Sequence, residues 1–197
     1  RRQRQMCIRD RVESIADKND ISLNPFDFAD AWRAEYQPAM EEIRKGRRSF
    51  TILDILHMEN LKKIAPKFNL HNISDEDFKL LVTAWHRLPG WPDSSEGINL
   101  LKKKYILATQ SNGNIALIVN MAKFSNLNWD VILGAEVIGH YKPEPEAYLK
   151  ACNALNFKTE ECLMVAAHED DLRAARQQGM KTAYVDRPFE YGKDKLF

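Results

Sequence analysis

Residues 162–188 read CLMVAAHEDDLRAARQQGMKTAYVDRP, and this stretch decides the fold. Cys162–Ala167 is an unbroken apolar run of strand length. Glu169, Asp170 and Asp171 follow, acids of the kind that favour the first turn of a helix, where the peptide dipole is positive. The helical reading continues to Gln178 and stops at Gly179, and Lys181–Asp186 (KTAYVD) is a second short strand. Strand, ten-residue helix and strand in that order imply a right-handed crossover between parallel strands. A strand as uniformly apolar as CLMVAA is expected in a sheet covered on both faces.

Working back from this unit, the same alternation recurs. Tyr105–Gln110 (YILATQ) reads as a strand, followed by Ser111-Asn112-Gly113-Asn114 and a helix to Phe124. Asp130–Leu133 is a further strand and Pro143–Leu155 a further helix. Before LPGWPDS, a turn signal with two prolines and a glycine, the pattern changes to helix only. PFDFADAWRAEYQPAMEEIRK and FTILDILHMENLKKIA each carry apolar residues at three- and four-residue spacing, and Ser74 before Asp75-Glu76-Asp77 reads as an N-cap. The expected architecture is an α/β core at residues 89–197 carrying an all-helical domain at residues 12–88.

The 197 residues hold 29 basic and 28 acidic side chains and are 44% hydrophobic. A net charge of +1 argues against a nucleic-acid partner, and no apolar run is long enough to span a membrane. Cys7, Cys152 and Cys162 lack metal-ligand spacing and are too few for a disulfide framework, which points to a reducing, cytoplasmic setting. The opening RRQRQMCIRDR, residues 1–11, reads as a ragged or foreign end and is set apart from the fold, the alternative being a basic arm. Arg44-Lys45-Gly46-Arg47-Arg48 reads as a solvated helix end. His57, His71, His86 and His140 read as surface or packing residues.

In open α/β sheets, ligands bind beyond the carboxyl ends of the strands. Ser111 and Asn112 stand at the first such end, Lys142 ahead of a proline-opened helix at the second, and His168 to Asp171 at the third. Each has a bland alternative: a helix cap, a solvated lysine, acids answering a helix dipole. At three consecutive strand ends, hydroxyl, amide, ammonium and carboxylate together describe an anion-binding reaction site.

SNG after a strand, YKPEPEAY, and MVAAHEDDLRAARQQGMKTAYVDRP resemble the haloacid dehalogenase superfamily, and within it the type II L-2-haloacid dehalogenases; the likeness runs from about Phe28 to Gly192. It implies a Rossmann-like parallel core under a helical cap. It places the family's substrate-carboxylate residues on Ser111 and Asn112, its lysine on Lys142, its tyrosine on Tyr148 and its late aspartate on Asp171. The cap arginine that attracts halide falls on Arg33, and an aromatic pocket wall on Phe50. Familiar members carry serine and asparagine where this chain has Ala166 and His168, a departure at the water-positioning place that makes His168 a candidate member of the catalytic set.

The implied reaction is displacement of halide from a small 2-haloacid by an aspartate, then hydrolysis of the ester. Lys142 and Arg33 offset the charge of an anionic substrate, and no cofactor or metal is needed. Magnesium enters only in the rival reading, a phosphatase of the same superfamily, and there Val165-Ala166 stands where a metal-binding carboxylate is expected. The family's nucleophile ends a strand that precedes the cap, in a segment reading Asp-x-Tyr/Phe-Gly-Thr. VESIADKNDISLN offers no such segment, so the core is expected to lack its first strand, and the chain to fold and bind poorly and not turn over. A non-catalytic binding module is the remaining alternative. The resemblance also admits a homodimer through the cap.

Overall fold

The computed structural model describes residues 2–187; Pro188 and the tail to Phe197, including Gly192, lie outside the described residues. Helices come first: α1 (Arg2–Lys18), α2 (Pro25–Ala34), α3 (Tyr36–Arg44), α4 (Leu53–Ile64) and α5 (Asp75–Val82), with 3-10 turns at Ala65–Phe68 and Thr83–Arg87. The single helix expected over PFDFADAWRAEYQPAMEEIRK is two helices. Pro38 has no N–H and its ring crowds the carbonyl of Ala34, so the chain breaks at Glu35 between α2 and α3. The Ser74 N-cap forms as expected, its Oγ accepting the Asp77 N–H at 3.1 Å.

Residues 2–11 do not stand apart in the way the sequence suggested for residues 1–11. The helix α1 runs through them, and Ile8, Val12 and Ile15 make an apolar stripe at helical spacing, hidden in sequence among arginines. That stripe joins Phe28, Trp32, Leu61, Leu70 and Leu81 in the core of the helical half. The Arg44–Arg48 run is a solvated end whose cations pair with Glu41, Glu42 and Glu59.

The second half carries α6 (Ser94–Leu101), α7 (Ile115–Phe124), α8 (Ala135–Ile138), α9 (Pro145–Ala154), β1 (Leu163–Ala166), α10 (Glu169–Gln177) and β2 (Lys181–Tyr184). The deciding stretch folds as read. β1 and β2 pair in parallel, Leu163 opposite Lys181 and Ala166 opposite Tyr184, and Gly179 leaves α10 at φ +86°, a conformation only glycine adopts without strain. The two other expected strands shrink to one parallel bridge, Ala108 to Val131. Among the described residues neither pair is hydrogen-bonded to the other. A lone pair of short strands has few ladder bonds to hold it straight.

The expectation that CLMVAA is covered on both faces is corrected. Met164 packs on Tyr148, Leu172 and Ala175, while Leu163 and Val165, on the opposite face, are 56% and 49% exposed. Helices α9 and α10 cover one face, and no described element lies on the other. A third cluster, built from Met40, Leu53 and Leu56 with Leu117, Ile118 and Tyr141, joins the helical half to the α/β half. No helix among the described residues is long and apolar enough to cross a membrane.

Candidate active site

Three strand ends and the loops after them meet at one rim. Lys142, in the loop before α9, directs its Nζ to the Gln110 carbonyl at 3.0 Å and to Asp171 Oδ2 at 2.5 Å. Asp171 is the third residue of α10, a first-turn acid favoured by the helix dipole. Its other oxygen accepts the Tyr148 hydroxyl at 2.7 Å. Pro145 at the first position of α9 fixes the helix start, and so sets Tyr148 one turn in, against α10. The ion pair is mostly shielded, the two side chains being 18% and 16% exposed.

Burial and the neighbouring Asp171 carboxylate both push the Tyr148 hydroxyl far above its usual range, so it stays protonated and donates. Two of the three Lys142 N–H groups are taken by Gln110 and Asp171, which leaves one for a bound anion.

The loop after the first strand end is tied to the same place. Asn112 Oδ1 accepts the backbone N–H of Lys142 at 2.8 Å, and Ser111 Oγ accepts the Gly113 N–H at 3.0 Å. Ser111 is therefore not the cap of α7; Asn114 holds that position. Gln110, not singled out in sequence, spans the rim by donating from Nε2 to the Ala147 carbonyl at 2.6 Å. Its signal was its place at the strand end, where an amide reads as any polar residue.

The remaining residues sit around this cluster. His168 is the exposed N-cap of α10, at the carboxyl end of β1. Phe50 lies against Tyr141 at 5.2 Å between centroids, and the Tyr141 hydroxyl donates to the Thr51 carbonyl at 2.5 Å. Arg33 lies over the Tyr36 ring at 4.3 Å, and Tyr36 packs in the cluster that contains Tyr141. So Lys142, Asp171, Tyr148 and Asn112 are joined directly. Arg33 lies against Tyr36 and Phe50 against Tyr141, in the apolar cluster between the two halves.

Residues 11–179 match the haloacid dehalogenase-like hydrolases. The chain belongs to that family. The defluorinating L-2-haloacid dehalogenase Rha0230 is 38% identical with a TM-score of 0.93, over 99% of this chain and 80% of that one. The L-2-haloacid dehalogenase PA0810 is also 38% identical, with a TM-score of 0.89, over 97% and 82%. (S)-2-haloacid dehalogenase 4A of Burkholderia cepacia is 34% identical over 117 residues, 56% of this chain and 51% of that protein. Pyrophosphatase PpaX of Bacillus thuringiensis (strain Al Hakam) is 31% identical over 141 residues, 70% of this chain and 60% of that protein. The chain spans about half the length of the curated relatives it matches. Its α/β core and helical cap are those of the family's dehalogenases.

Proposed function

We propose that this hydrolase cleaves the carbon–halogen bond of a small 2-haloalkanoic acid through an aspartyl ester. The observation that carries the reading is Lys142, held between Gln110 and Asp171 at the meeting of three strand ends, with the Asn112 amide on its backbone. An anionic substrate attacked by a carboxylate needs a fixed cation at that point.

In this reading an aspartate carboxylate attacks C2, and the C2–halogen electron pair leaves with the halide. Water then adds to the ester carbonyl. His168 takes one proton of that water and returns it to the departing C2 oxygen, so the 2-hydroxy acid leaves as the aspartate is restored. Ser111 and Asn112 hold the substrate carboxylate, Asp171 orients Lys142, and Tyr148 fixes Asp171. Arg33 attracts the halide and Phe50 walls the pocket. The nucleophile belongs to a strand laid along β1, between it and residues 105–110. Supporting that place, β1 is paired on one edge only among the described residues, which leaves its other backbone edge open to a further strand.

The likeness to PpaX favours a second reading, a magnesium-dependent phosphatase. The described residues do not fit the metal. Ala166 has no donor, and both Asp171 oxygens are engaged by Lys142 and Tyr148.

Saturation transfer to the methyl protons of 2-chloropropionate tests the site on the 197-residue chain itself. Weak transfer is expected, lost in Lys142→Met, with no halide released. Halide release by this chain alone would refute the placement of the nucleophile outside it.

A further inference from the structure

The helical half meets the loop 111–114 through a polar cluster that the reaction above does not use. Asp54, in the first turn of α4, receives the Asn114 Nδ2–H on Oδ2 at 2.8 Å and returns its own backbone N–H to Asn114 Oδ1 at 3.2 Å. Its other oxygen lies 2.9 Å from His86 Nε2, and His86 Nδ1 lies 2.9 Å from Asn120 Nδ2 on α7. With the Asn120 amide donating to Nδ1, the imidazole carries its proton on Nε2 and gives it to Asp54. Each contact thus pairs a donor with an acceptor, across 60 residues of sequence between Asp54 and Asn114.

The cluster is well shielded: Asn114 is 1% exposed and His86 5%. Burial alone would raise the Asp54 pKa, but the hydrogen bonds from His86 and Asn114 outweigh it and hold the carboxyl below its usual range. Asp54 itself is half-buried, and a partly shielded carboxylate between two donors has one favoured geometry, because a lost partner leaves charge unpaired. Asn114 is the last residue of the SNGN loop and the N-cap of α7, yet its side chain caps nothing and is spent wholly on Asp54. Two residues away, Asn112 holds Lys142.

We propose that Asp54, His86 and Asn114 are positioning residues, a clasp that fixes the Ser111–Asn112 loop against α4 and so sets where the substrate carboxylate is held. The role of that loop rests on the dehalogenase reading; the clasp itself does not. It also explains how the helical half constrains a loop of the α/β half without contributing to it covalently.

The test is an exchange of partners. In Asn114→Asp two carboxylates face each other. In the double variant Asp54→Asn with Asn114→Asp, the amide introduced at position 54 donates from Nδ2 to the carboxylate introduced at position 114. Its Oδ1 accepts from His86, and the backbone N–H of residue 54 still reaches that carboxylate. Hydrogen exchange of the 111–113 amides in the full chain should quicken about tenfold in Asn114→Asp and return to within about twofold of the original in the double variant. Exchange in α10 should be unchanged in both. Asn120→Ala, at an outer position, should give a smaller quickening while leaving the Asp54–Asn114 pair in place. Unchanged exchange at 111–113 in Asn114→Asp, or no recovery in the double variant, would overturn the clasp. Saturation transfer to 2-chloropropionate, read in the same samples, separates the two claims. Transfer that falls and recovers with the exchange rates supports both. If the exchange pattern holds while the unaltered chain shows no transfer, the clasp stands and the haloacid reading falls.

Discussion

The helical half and the α/β half of this chain are held together by different means. In residues 2–87 each helix satisfies its backbone internally, and Trp32, Phe28, Leu61 and Leu81 close one apolar core. In the α/β half, among the described residues, β1 has a ladder on one side only and shows Leu163 and Val165 to solvent. Polar cross-links at the rim tie its strand ends together: Lys142 to Gln110 and Asp171, Tyr148 to Asp171, Asn112 to Lys142. A helix is a local solution to backbone hydrogen bonding, whereas a strand depends on what lies beside it.

The sharpest break in this comparison is Trp32→Ala. The indole is 1% exposed, donates to the His57 carbonyl at 3.0 Å and packs on Phe28 and Trp85. Its loss is expected to cost about 4 kcal/mol in denaturant unfolding and to raise hydrogen exchange through α4 and α5 more than in α10. Equal loss of protection in both halves would show that they unfold as one unit.

Lys142→Met attacks the other half at its polar rim and leaves Asp171 with Tyr148 alone. About 3 kcal/mol is expected, with exchange rising at 110–113 and 168–171.

His57 supplies a pH test confined to the helical half. Its ring is buried, stacked on Trp85 at 4.5 Å, and both ring nitrogens lack a hydrogen-bond partner. Burial pushes its pKa from 6.5 down to about 3, with Arg33 and His86 acting in the same direction. Between those values the unfolded chain binds a proton that the folded chain does not. The contribution is therefore intact above about pH 6.5 and lost as pH falls towards 3, at about 1.4 kcal/mol per pH unit. His57→Leu should flatten that slope in denaturant midpoints measured from pH 7 to 4.

The smallest effect is expected at Val165→Thr. That side chain is 49% exposed, so stability should move by no more than about 0.5 kcal/mol in this chain. The same change should become more costly in a longer form whose added residues cover that face.

What the sequence made legible was local. Ser74 with its three following acids, and Gly179 after α10, announce helix ends by chemistry within one turn. The break at Glu35 was also local, but the apolar spacing across Pro38 masked it. The strand ends could be read because Ser111, Lys142 and Asp171 each follow an apolar run. Gln110 and Tyr141 were harder, since their roles come from partners 37 and 90 residues away. The clasp was illegible for the same reason. Asp54, His86 and Asn114 look like surface polar residues until folding buries them together.

The central claim is that the Lys142–Asp171 rim is a haloacid dehalogenase site completed by an aspartate on an adjoining strand. The direct measurement is product release by a form of the protein extended at its N-terminus with a strand ending in Asp-x-Tyr/Phe-Gly-Thr. The account predicts halide from 2-chloropropionate in the presence of a chelator, lost in Lys142→Met. Phosphate from pyrophosphate with added Mg²⁺, and no halide, would contradict it.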